Sequence, residues 1–107
     1  MKLMIWIKVP VPEDWSAWDG IGTATGYGTA ATEDVQITVY GTNNNLICGP
    51  TDIVTGVGWN SDVTLCDYTG GTFSQGSYFT IKVTLRVNTA SNNARISNIN
   101  LPYKARY

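Results

Sequence analysis

Apolar and polar residues alternate with a period of two along most of this chain, and no 3.6-residue apolar stripe runs through it. The alternation is cleanest over residues 77–88, "SYFTIKVTLRVN". There Phe79, Ile81, Val83, Leu85 and Val87 take one parity, and Tyr78, Thr80, Lys82, Thr84 and Arg86 take the other. Such a run predicts a strand with one buried face and one wet face. Residues 2–9 repeat the pattern: Leu3, Ile5, Ile7 and Val9 are predicted core, with Lys2, Met4, Trp6 and Lys8 facing away. Pro10 and Pro12 end that strand, because neither has an N–H to give to a ladder. A third run places Val35, Ile37 and Val39 in the core, and Asn43–Asn45 then supply turn residues that tolerate positive φ. These residues, with "LICG" after them, predict a hairpin.

The remaining segments are shorter. Residues 13–18 are the only candidate helical turn. In "GIGTATGYGT", residues 20–29, Gly22, Ala24, Gly26 and Gly28 share one side. That nearly bare face invites something bulky against the backbone, and Trp15 and Trp18 are nearest in sequence. Gly49-Pro50 is read as a break, followed by one short strand and a second carrying Val63 and Leu65. Turns are predicted at residues 69–71 and 89–93. Parity slips between Ile96 and Ile99, which predicts a bulge near Ser97–Asn98. Seven to eight short strands with regular turns predict an all-β fold, an antiparallel β-sandwich of jelly-roll-like or Ig-like topology. Residues 1–107 form one domain, both of whose ends are expected to be paired.

Composition sharpens this by exclusion. Only 14% of residues are charged, against about 25% in ordinary globular chains. Net charge is −1 with the seven cations scattered, so there is no electrostatic footprint for nucleic acid. "MKLMIWIKVPVP" lacks the small-residue cleavage site of a signal peptide, and no run approaches the ~18 apolar residues of a membrane span. Synthesis in the cytoplasm without export is therefore expected. Cys48 and Cys66 stand 18 positions apart, and pairing them would stabilise by about 3 kcal/mol. The missing export signal weighs instead towards two buried thiols.

The chain has no histidine, which removes imidazole nucleophile systems and most catalytic zinc sites. Glu13, Asp14, Asp19, Glu33, Asp34, Asp52, Asp62 and Asp67 fall at predicted turns or strand ends, and no pair is placed for acid–base work. The glycine spacing at 20–28 fits neither the dinucleotide fingerprint nor a phosphate loop. The expectation is a protein that is not an enzyme and holds no cofactor. Aromatic residues offer the other chemistry. Trp6, Tyr40 and Tyr78 lie on the outward parity of their strands and are candidate residues for stacking on sugar rings. Trp15 and Trp18 follow a strand terminator and suit a plug over one end of the core.

Three stretches, "VPVPEDWSAWDGI", "GGTFSQGSYFTIKVTLRV" and "ARISNINLPYKARY", together resemble small β-sandwich domains of bacteriophage virion proteins. The resemblance covers about the first 21 and last 38 residues. It implies a structural protein of the virion, such as a capsid decoration, head fibre or tail-fibre appendage. Its partners would be other virion subunits, as a homo-oligomer or on a capsid lattice. Carbohydrate-binding sandwiches also close with a strand of this kind, so glycans are the alternative partner. The C-terminal Pro102, Tyr103, Lys104, Arg106 and Tyr107 mix aromatics with cations and are a candidate docking segment on a neighbouring subunit.

Overall fold

A computed structural model describes residues 2–19, 21–29, 34–67, 73–74, 76–87 and 94–105. The predicted turns at 69–71 and 89–93, together with Arg106 and Tyr107, lie outside the described residues. The rest is all β, with strands β1 (Lys2–Pro10), β2 (Trp15–Trp18), β3 (Thr23–Gly28), β4 (Asp34–Tyr40) and β5 (Leu46–Asp52). They are followed by β6 (Gly58–Thr64), β7 (Tyr78–Arg86), β8 (Arg95–Asn100) and β9 (Tyr103–Ala105). Every pairing is antiparallel. Sheet A has the order β1-β7-β4-β5, sheet C the order β6-β3-β8, and β2 pairs with β9 as a short ribbon. The two sheets pack as a β-sandwich.

Residues 13–18 do not form a helical turn. Trp15–Trp18 are extended because they have a partner strand to pair with in β9, and Ser16 Oγ donates to the Lys104 carbonyl at 2.8 Å. Gly49-Pro50 is not a break either; β5 runs through it to Asp52. β5 is an edge strand, where a proline without an N–H is tolerated, and the ladder to β4 slips around Val39 to accommodate it. The hairpin turn forms as predicted, with Asn44 at φ 60° and the Gly41 N–H on the Asn45 carbonyl. So does the bulge in β8: Thr25 pairs with Asn98 but Gly26 with Ile96, which leaves Ser97 as the extra residue.

The bare face of β3 points inward, with Gly22, Ala24, Gly26 and Gly28 buried. What lies against it is aliphatic. A Cβ on Gly26 would meet Ile53 and Val35, and one on Gly22 would sit 2.6 Å from Leu101 and 2.8 Å from the Asn100 carbonyl. The tryptophans are elsewhere: Trp18 is buried at one end of the core, edge-on to Phe73 at 4.6 Å and to Phe79 at 5.5 Å. Trp18 is thus a plug, and Trp15 packs half-buried beside it at 6.1 Å.

β3 crosses β4, which sets the two layers in register. Val35, Ile37, Val39, Phe79, Ile81 and Val83 are buried as predicted, and each contributes about 1.5–3 kcal/mol of transfer free energy. Leu85 and Val87 pack only partly against this core. Leu3, Ile5 and Ile7 are not core: they are 55%, 39% and 40% exposed, and Val9 alone of that set packs against the buried cluster. Their parity is as predicted, since they pair with Leu85, Val83 and Ile81 and share the inner face of sheet A. The cause of their exposure is the width of the opposite layer. With β3 over β4, three strands cover β5, β4 and β7 and leave the fourth position, β1, without a roof.

Cys48 and Cys66 are joined in a disulfide with Cα atoms 5.6 Å apart. Two buried thiols were the weightier expectation, and the pairing overturns it: β5 and the segment after β6 lie face to face across the two layers. Replacing both cysteines with serine is expected to lower stability by about 3 kcal/mol in guanidinium unfolding. Reductant should reproduce that loss in the wild type and leave the variant unchanged.

Candidate functional site

The outward face of sheet A follows directly from its register. Trp6 lies across from Lys82 and Thr38, and Lys8 across from Thr80 and Tyr40. Trp6 and Tyr40 come together over the strand between them, their ring centroids 5.8 Å apart and their planes inclined by 31°. Tyr78 opens β7, with the Lys8 ammonium 5.4 Å from its ring centre. The Lys82 ammonium likewise sits 5.1 Å from the Trp6 ring. Trp6 is 58% and Tyr78 53% exposed, while Tyr40 is half-buried. Two of the three candidate stacking residues therefore meet, and each exposed ring already holds a cation of its own, an interaction worth about 0.5–1 kcal/mol at the surface.

A second row of the same kind lies on the outward face of sheet C. Tyr27 pairs with Trp59 on one side and Arg95 on the other, with ring centroids 5.3 Å apart and the guanidinium 4.9 Å from the Tyr27 ring. Tyr27 takes the parity opposite the glycines of residues 20–28, whereas the alternation along the chain does not single out Trp59. Trp59 and Val63 share a parity in the sequence yet face opposite ways, because the β3–β6 ladder slips between Ala24 and Gly26. Asp62, at φ 50°, turns the strand there and gives its N–H to Thr25 Oγ1 at 3.0 Å.

The candidate docking segment divides. Tyr103 and Lys104 pair with β2 as part of β9, Tyr103 donates its hydroxyl to Asp14 at 2.9 Å, and the Pro102 carbonyl accepts from the Asp19 N–H. These residues are built into the chain's own end ribbon. Beneath it, Val9 and Ile81 on one layer and Ile99 and Leu101 on the other line an apolar cleft of about 260 Å³. The cleft reaches β1 only at its last two residues, Val9 and Pro10.

Asp34, which opens β4, is a buried carboxyl with a shifted titration and is ion-paired with Arg86 across the sheet. Burial pushes its pKa above 3.8; the Arg86 hydrogen bond pulls it down, Asp52 pushes it up again, and the net direction is upward. Among the described residues no group of three or more His, Cys, Asp or Glu gathers at metal-binding distance. Asp34 is structural, tying the first residue of β4 to the last of β7.

No protein-family model, no curated protein and no solved structure matches this chain.

The folded chain binds the Asp34 proton more tightly than the unfolded chain does. Its stabilising contribution is therefore present below 3.8 and is lost as pH rises through the raised folded value. Asp34→Asn cannot ionise. Measured by urea unfolding, the stability advantage of wild type over this variant is expected to shrink as pH climbs from 3.8; a gap that stays constant, or widens, contradicts the upward shift.

Proposed function

We propose that this chain is a non-enzymatic structural subunit of a virus particle, a capsid decoration or appendage, acting through protein–protein contacts. The observation that carries the reading is the strip Leu3, Ile5 and Ile7, apolar and regularly aligned yet open to solvent. Contiguous exposed apolar surface on a small domain marks a contact surface. Here it borders a sheet edge, the element most prone to pair with another chain. One further structural feature supports a particle component. The inter-layer disulfide persists in oxidising surroundings, the condition a released particle meets. The virion assignment itself rests on the resemblance of the opening and closing stretches. Mass spectrometry of purified virus particles from the source of this sequence is expected to recover its peptides with the capsid or tail proteins. Recovery only from the unassembled soluble fraction would defeat the assignment.

Glycan binding is the second reading, favoured by the adjacency of the Trp6 and Tyr40 rings on the outward face of sheet A. A sugar face stacking on Trp6 displaces Lys82, so affinity is expected to be modest. In affinity electrophoresis through polysaccharide gels, this reading requires retardation of the wild type that Trp6→Ala removes; equal mobility of the two proteins in every gel rejects it.

A further inference from the structure

We propose that the free edge of β1 takes up an extended segment of a different protein, alternating aliphatic with acidic residues, as a fifth strand of sheet A. The inference rests on the contact-module reading above and names the partner's chemistry.

β1 pairs with β7 through all nine of its residues without a register shift, and among the described residues no strand pairs with its other edge. It is therefore a straight template about 30 Å long at roughly 3.3 Å per residue. A strand laid on it meets two unlike faces. On the inner face its side chains extend the strip of Leu3, Ile5 and Ile7, which calls for aliphatic residues. On the outer face they stand beside Lys2, Met4, Trp6 and Lys8, with Lys82 one strand behind. No acidic residue lies on β1 or on the outward positions of β7, where Arg86 is occupied by Asp34. Every charged residue on the outward face of β1 is a cation, so acidic residues complement it.

The same lysines disfavour a second copy. In an antiparallel β1–β1 pair centred on Ile5, Lys2 of each chain lies directly opposite Lys8 of the other. Centring on Trp6 still leaves those lysines as diagonal neighbours. Like charges across a ladder are destabilising, and lysines on an edge strand commonly serve to refuse self-pairing. Head-to-tail growth onto β5 meets a broken ladder, with Pro50 lacking an N–H and Gly49 at φ 103°. An acidic strand escapes both obstacles, so the edge rejects copies of itself and attracts a partner by one and the same charge.

The test uses the intact chain and a fluorescent nine-residue peptide that alternates valine with polar residues, with glutamate at its third and ninth positions. Saturable binding by anisotropy at low salt is expected, weakened about tenfold or more by Lys2→Glu with Lys8→Glu, both exposed positions. The matching peptide with lysine for glutamate should bind that double variant and not the wild type. Ile5→Lys should abolish binding of either peptide. Absence of binding by the acidic peptide, or binding indifferent to the charge reversal, overturns the proposal. So does a dimer of the chain alone in sedimentation that Ile5→Lys abolishes, which would give the edge to a second copy. Peptide binding reads this edge alone and particle mass spectrometry reads the virion assignment, so either can fail while the other stands.

Discussion

The inward side of β3 has no side chain larger than a methyl, and the arrangement of the whole molecule follows from that. Sheets in a sandwich stand about 10 Å apart when ordinary side chains interdigitate between them. Ala24, Gly26 and Gly28 contribute little to fill that space, so Val35 and Ile53 reach across from the sheet A side to the β3 backbone at Gly26, while Leu65 and Leu101, from beside β3 in its own layer, close over Gly22. The strand is thereby held over β4, at the centre of the core. Its two neighbours then fall over β5 and β7, where the disulfide ties the β5 side. β1 is left as an overhang because, among the described residues, sheet C has three strands against four in sheet A.

That overhang makes the molecule asymmetric. One flank is cross-linked and bounded by a strand whose ladder slips at Gly49 and Pro50. The other presents a straight edge, an apolar strip and a row of cations. Trp18, Phe73 and Phe79 close one end of the core, so the exposure along β1 increases away from that plug, from Val9 to Leu3. Stability and recognition are thus lodged on different flanks. Alterations to Lys2 or Ile5 touch little of the buried cluster, whereas an added Cβ at Gly22 would run into backbone.

Much of this was legible in the residues. The parity of β1, β4 and β7, the Asn43–Asn45 turn and the bulge at Ser97 are local matters, set by alternation and turn chemistry that act over a few residues. Trp59 was hidden because a bulge at Asp62 reverses parity midway along β6, and no composition signal marks such a slip. The meeting of Trp6 with Tyr40 was half-visible: both had the outward parity, but their adjacency depends on β7 running between β1 and β4.

Alternation along the chain determined which side chains share a face, and the density of strands and turns determined that the fold is an antiparallel sandwich. Neither determined which faces are covered. Period-two patterning reports a residue's orientation within its own sheet, while burial depends on how many strands the other sheet contains and where they lie. Leu3, Ile5 and Ile7 carry the pattern of core residues in full. Only the count of three strands over four, a property of the assembled layers, left them facing water.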